Sequence, residues 1–520
     1  MNMHVKIMIR TLIVTLVVIL GIPLSFVHAS KPEPAHVLII YDSLAKGTSR
    51  EGNIEALQRL LASFGVKVTE TTMDNYKKGT LAKYTSVIAV RNANELTISN
   101  TDYIQDFASY EGDYLHIGVQ LPSKIQTELN LTIQNANEQF VKLSIGQFSE
   151  PTIHVSHMPY IVQAMGSIQY GSISSENNDM DTPYAVRHDG LAYVPYYEKG
   201  NLSEIALAYV LKDWLRVTEQ GKTYLLFKEV YPFSDLPLLE KMADKLYSAG
   251  IPFIVSVRPV FHNTDYPAMQ RYLETLKYVQ SHNGSILVNT PVVSSTIQEI
   301  GPELKAQMEL FVDVLADYEI APLGLGAEMY WTYDQQYSEY GMGSFDSAVL
   351  FPNENIRHRS QSDSSKSFSS SVYTIQLDFL EQFEHTGKVI ERFPMSTALV
   401  YNFFETEAEL DQNVQAYIDS WITFDDYKSV PHNVQTQANT ISTHNGMFEI
   451  NGHSVDLNNA YRTVSPEYSY KPEPEKSFET LFSIQNKIFI VLILLTLFAF
   501  GIMFIIGYRL YKRKYLNRRR

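Results

Sequence analysis

At 520 residues the chain is too long for one ordinary core, and its length sets a prior of about three domains. It contains no cysteine, which excludes disulfide scaffolding, thiolate catalysis and cysteine metal sites. Its formal charge of −15 is unevenly placed: Lys6 and Arg10 give the start two positive charges, the stretch from Lys487 onward gives eight, and residues 31–486 are left at −25. So acidic a segment is a poor partner for nucleic acid or anionic polymers and a better one for neutral or cationic glycans, unless the charge serves only solubility.

Met1 to Arg10 is basic, Thr11 to Val27 apolar, and Val27-His28-Ala29 offers the residues a signal peptidase reads. Residues 1–29 are therefore expected to be a signal peptide, with an uncut anchor as the alternative. Residues 31–142 begin with His36-Val-Leu-Ile-Ile-Tyr41, a continuous apolar run of buried-strand type, followed by a polar loop and a helix from Glu51 to Phe64. Lys67–Thr71 and Ser86–Val90 then read as strands, Thr101–Tyr110 as a helix and Tyr114–Val119 as a strand. Strands alternating with helices predict a parallel sheet in an α/β arrangement, flavodoxin-like in outline. The loop Asp42 to Gly52 lies where such folds hold phosphate but lacks the glycine spacing of a phosphate loop, so no cofactor is expected. Residues 143–222 turn to short alternating stretches rich in Ser, Asn and Gly up to Tyr197, read as a β-rich insert, with a connecting helix from Ser203 to Val217.

Residues 223–427 open with Leu225-Leu-Phe-Lys-Glu-Val-Tyr-Pro-Phe-Ser-Asp235. An amphipathic helix, Leu238–Ala249, and a strand, Ile251–Val260, follow; then a helix, Tyr266–His282, and Gly284-Ser-Ile-Leu-Val-Asn-Thr-Pro-Val-Val293. Leu323-Gly-Leu-Gly-Ala-Glu-Met-Tyr-Trp-Thr-Tyr333 ends a further strand, Arg357 to Ser371 reads as a mobile surface loop, and Ser396–Phe404 is a late strand. Thr406 is placed to cap a helix from Glu407 to Trp421. This succession resembles the NodB-like polysaccharide deacetylases, and within them an uncharacterised branch of bacterial surface proteins.

The resemblance implies a (β/α) barrel. It also implies a metal site, because family members end the first strand in two aspartates, one the base and one a metal ligand. They carry a His-x-x-x-His motif after the third strand and an acid histidine on a late one. At those positions this chain has Lys228, Glu229, Val288, Val292 and Asn402. Such an enzyme needs an open metal position to activate water and a carboxylate to take its proton; an ammonium at Lys228 repels a cation, and valines offer no ligand atoms. A degenerate site follows, with no metal and no catalytic residue expected. By the same resemblance Glu229, Asp235, Glu328, Tyr330, Trp331 and Tyr333 would line a groove for substrate; abundant tyrosine, 34 in all, suits either sugar stacking or core filling.

Residues 428–464 alternate polar and apolar with Asn445-Gly446 and Asn451-Gly452 as hairpin signals, predicting a small β appendage. Residues 465–487, with Pro466, Pro472 and Pro474, read as a stalk. The uncharged run 488–507 is long enough to span a bilayer, and the basic tail 508–520 places that end in the cytoplasm and the bulk of the chain outside. Three functions are open: a membrane-anchored pseudo-deacetylase that binds cell-surface or secreted polysaccharide, beside a polysaccharide synthase or export complex; an active hydrolase with a site rebuilt from Glu229, Asp235, His262 and Glu328; or a structural, protein-binding ectodomain.

Overall fold

The computed structural model describes residues 35–175, 180–291, 301–354, 361–386, 391–419, 422–457 and 478–516, with Ile356 and His358. The expected signal peptide, Val292, most of the expected stalk and residues 517–520 lie outside the described residues.

The first sheet is built on His36–Tyr41, flanked in parallel by Lys67–Thr72 and Ser86–Arg91, with Asp113–Gly118 beyond. Strand alternation explains the unbroken apolar run. Val37 and Ile39 enter one core with helices Asn53–Ser63 and Ser203–Trp214, while Leu38 and Ile40 enter a second with Tyr103 and Ile125. The next parallel strand is Leu191–Val194, paired to Tyr114–Ile117, and two antiparallel strands, Ala185–His188 and Ile168–Tyr170, complete seven. Between them stands a long antiparallel hairpin, Leu131–Ile145 with Phe148–Ala164. The expected boundary at residue 142 therefore falls inside a strand, and residues 185–214 of the expected insert and connector build the parallel sheet and its helix layer.

The second unit is a closed barrel of seven parallel strands, Thr223–Val230, Phe253–Val257, Gly284–Asn289, Pro322–Glu328, Ser347–Phe351, Ser370–Gln376 and Thr397–Asn402. Side-chain directions follow from alternation. Phe227 meets Tyr417 of helix Glu407–Asp419, so it and Leu225 face the helix layer. Tyr224, Leu226 and Lys228 then face the lumen. On the third strand Leu287 and Asn289 face it too, since a Cβ at Gly326 would strike Asn289, Leu287 and Phe351. The base of the barrel is closed by the appendage: Tyr427 packs edge-on against Tyr224, and His432 donates from Nε2 to the Tyr427 carbonyl at 2.8 Å and lies 2.9 Å from the Ser347 hydroxyl. Both appendage hairpins turn as expected, with Asn445, Gly446, Asn451 and Gly452 all left-handed, the geometry of type I′ turns.

The two units share one core. Tyr373, Ile375 and Leu399 of the barrel pack among residues of the sheet's helices, and the buried Arg59 guanidinium lies 3.5 Å from Glu204 and 3.1 Å from the Tyr373 hydroxyl. The Ser-rich segment read as a mobile loop does not run free where it is described. Ser365 exchanges backbone and side-chain hydrogen bonds with Val68, and Asp363 accepts from the Glu70 amide at 2.9 Å, so these residues extend the edge of the first sheet. At the far end, helix Phe478–Tyr511 contains the one stretch among the described residues long and apolar enough to cross a membrane, with a mean hydropathy of 3.1.

Candidate functional site

Catalytic and binding groups of parallel barrels gather where the strands end, because the loops there converge on one opening. Lys228 and Asn402, two of the expected degenerate positions, are register partners at the ends of adjacent strands. The first strand also carries a bulge: Phe227 pairs Val255 and Val230 pairs Val257, leaving Lys228 and Glu229 opposite one residue. Glu229 takes a left-handed φ of +67°, a conformation costing an L-residue about 1–2 kcal/mol. Its effect is to turn both side chains of the pair toward the opening.

There they form an ion network. Arg258, which follows the second strand, donates to Glu229 Oε1 at 2.7 Å and to the Thr290 carbonyl at 2.7 Å. Lys228 Nζ lies 3.5 Å from Glu229 and 3.4 Å from Glu354, and 5.3 Å above the Phe351 ring. The Tyr231 hydroxyl reaches Glu229 Oε2 at 3.4 Å. Burial alone would raise the Glu229 carboxyl, but the Arg258 guanidinium and Lys228 ammonium outweigh it and hold the group below its ordinary range. Among the described residues no cluster of three or more histidines and carboxylates is arranged to hold a metal ion, and two cations now stand beside the carboxylate nearest the expected ligand position.

Val288 is fully buried and alternates with Leu287 and Asn289, so it faces the helix layer rather than the opening. Val292 lies outside the described residues. The lumen-facing residue at this height is Asn289, whose Oδ1 accepts from the Ser256 hydroxyl at 2.6 Å. Its Nδ2 is buried with no hydrogen-bond partner among the described residues.

The expected groove does not assemble from the expected aromatics. Tyr330, Trp331 and Tyr333 lie on the short helix Met329–Tyr333 and are 5%, 1% and 3% exposed. Trp331 packs at 4.4 Å on Tyr337, and Gly341 fits tightly against its indole. They fill core. Glu328 stays at the rim, accepting from the Glu354 amide at 3.0 Å. Asp235 caps helix Leu236–Ser248, accepting from Leu238 N at 3.1 Å, which commits one oxygen to structure. His262 is exposed beyond the second strand. The aromatics that do reach the rim are Tyr231 and Phe233, stacked at 5.1 Å with Phe233 69% exposed. The sequence reading passed over both, and Arg258 as well. The available signals were Tyr-Pro-Phe directly after the strand-end pair and an arginine closing a strand of otherwise buried type.

The crevice at the ends of the first sheet is different. Asp42 accepts from the amides of Ser43, Asn92 and Ala93 at 2.7, 2.9 and 3.0 Å and lies 3.8 Å from Arg91. Its carboxylate takes the backbone amides that follow the first and third strands.

No family model matches the chain, and no curated protein matches it.

Proposed function

We propose that this is a membrane-anchored, extracytoplasmic protein whose deacetylase-like barrel binds glycan without hydrolysing it. The carrying observation is the network Arg258–Glu229–Lys228–Glu354 at the barrel mouth. A hydrolase of the resembling family needs a metal-bound water and a free carboxylate base acting together; here the carboxylate is tied to two cations. The closed parallel barrel agrees with the resemblance, and the strand order of the first sheet, with its helices on both faces, agrees with a flavodoxin-like unit. The apolar helix supports a single-pass anchor, and the basic residues after it support an external ectodomain. Rim aromatics beside hydrogen-bonding groups favour glycan over a purely structural role.

The test is made on the full chain in lipid nanodiscs. N-acetylglucosamine oligomers should bind with no acetate released, and elemental analysis should find no stoichiometric zinc. Zinc at one per chain, lost in Glu229→Ala, together with acetate release, would establish the hydrolase instead. Absence of glycan binding would leave the protein-binding ectodomain.

A further inference from the structure

We infer that the barrel mouth selects amino-sugar polymer bearing free amines, so that the protein recognises what a separate de-N-acetylating enzyme produces; this rests on the glycan-binding reading above. Charge at the mouth is layered. The cations are recessed, with the side chains of Lys228 and Arg258 19% and 20% exposed, while the carboxylates stand outward, Glu229 at 35% and Glu354 at 68%. Glu328 adds a third carboxylate at the same rim. A ligand arriving from solvent therefore meets acid first, within a segment already carrying −25.

Two independent features show that more than charge is built here. Asn289 directs an unpartnered buried amide into the lumen at the height of Phe351. Buried polar atoms left without a partner are uncommon in folded proteins, and a sugar hydroxyl, able both to donate and to accept, would satisfy this one whichever way the amide is turned. On the rim the Tyr231–Phe233 pair gives an apolar face beside Glu229. A pyranose ring covers such a face, and an ammonium close to it gains a cation–π contribution. A β-linked glucosamine carries all three groups: ring face, hydroxyls and ammonium. Acetylation removes the charge and adds bulk where the carboxylates project.

The experiment titrates the full chain in nanodiscs at about pH 6, where an aliphatic amine is protonated, with glucosamine hexamer and with N-acetylglucosamine hexamer. The free-amine oligomer should bind about tenfold tighter, and the ratio should shrink as salt rises from low to physiological strength. Phe233→Ala should weaken both ligands about tenfold, the scale of losing one stacking contact. Glu354→Gln should lower the ratio by weakening the free-amine oligomer more than the acetylated one; both residues are exposed, so neither change threatens the fold. Equal affinity for the two hexamers would overturn the amine selectivity and leave glycan binding standing. Binding of neither would overturn both. Affinity unaltered by Phe233→Ala together with a preference unaltered by Glu354→Gln would remove the site from the barrel mouth.

Discussion

The strand ends of the parallel sheet and of the barrel are the two places where an α/β protein ordinarily meets a ligand, and each contains a carboxylate among positive groups. At the sheet the Asp42 side chain is 2% exposed and takes three backbone amides and Arg91, so its hydrogen-bonding capacity is nearly used up within the protein. At the barrel Glu229 is a third exposed, holds a strained backbone and neighbours an unpartnered Asn289 amide and a buried, unpartnered Arg258 Nε. Each site leaves one arginine Nε, that of Arg91 or Arg258, buried without a hydrogen-bond partner among the described residues; the difference lies in the carboxylate, buried and bonded by three amides at Asp42, a third exposed beside an opening at Glu229. A carboxylate whose hydrogen bonds are spent inside the protein is structure, whereas one exposed at an opening is a place for something to bind.

Acid should test both regions at once and give the largest effect. His116 in the sheet and His432 under the barrel are each pushed down to about 4 by burial. A histidine depressed in the fold contributes stability that is fully present above its unfolded value near 6.5 and is lost as pH falls toward 4. The loss is about 3 kcal/mol for each. Glu70, raised to about 7 by burial beside Asp363, works oppositely: it penalises the fold as pH rises through 7, so acid relieves it and offsets part of the loss. Melting temperature followed from pH 7 to 4 should fall, and His116→Asn and His432→Asn should each remove most of the net slope, since Glu70 offsets about one histidine's loss. A flat parent profile would contradict the burial of both rings.

Next comes the contrast between the carboxylates. Asp42→Ala leaves three amides without their acceptor and removes the carboxylate 3.8 Å from the buried Arg91, and should cost about 3 kcal/mol, roughly 6–12 °C in melting temperature. Glu229→Ala should cost no more than about 1 kcal/mol, since a partly exposed pair is screened by water. Equal losses would show that the barrel network is as structural as that of the sheet. Smallest of all, Glu229→Gly should melt within about 2 °C of the parent, because release of the left-handed strain, about 1 kcal/mol, balances the lost pair. Glycine performing worse than alanine there would refute the strained bulge.

What was legible in the sequence divides along physical lines. Buried strands such as His36–Tyr41, Gly284–Asn289 and Thr397–Asn402 announced themselves because a strand covered on both faces is apolar throughout, and the Asn-Gly turns because few other pairs tolerate two left-handed residues. Leu191–Val194 was missed as a sheet strand: it is four residues long, and its neighbour Asp113–Gly118 precedes it by a whole inserted hairpin. Site residues were harder. A slip of one position turns a strand residue to its other face, which is the difference between Val288 in the helix layer and Asn289 in the lumen. Aromatic content did not distinguish Trp331, packed beneath Gly341, from Phe233 in solvent, because both follow a strand end and only tertiary packing separates them.

The most direct measurement is hydroxyl-radical footprinting of the full chain in nanodiscs, with and without saturating glucosamine hexamer. Oxidation at Tyr231 and Phe233 should fall on binding while the exposed Leu44, in the loop that follows Asp42, is unchanged. Protection of the Asp42 to Gly52 loop with Tyr231 and Phe233 still fully reactive would place the ligand at the sheet and contradict the assignment of binding to the barrel mouth.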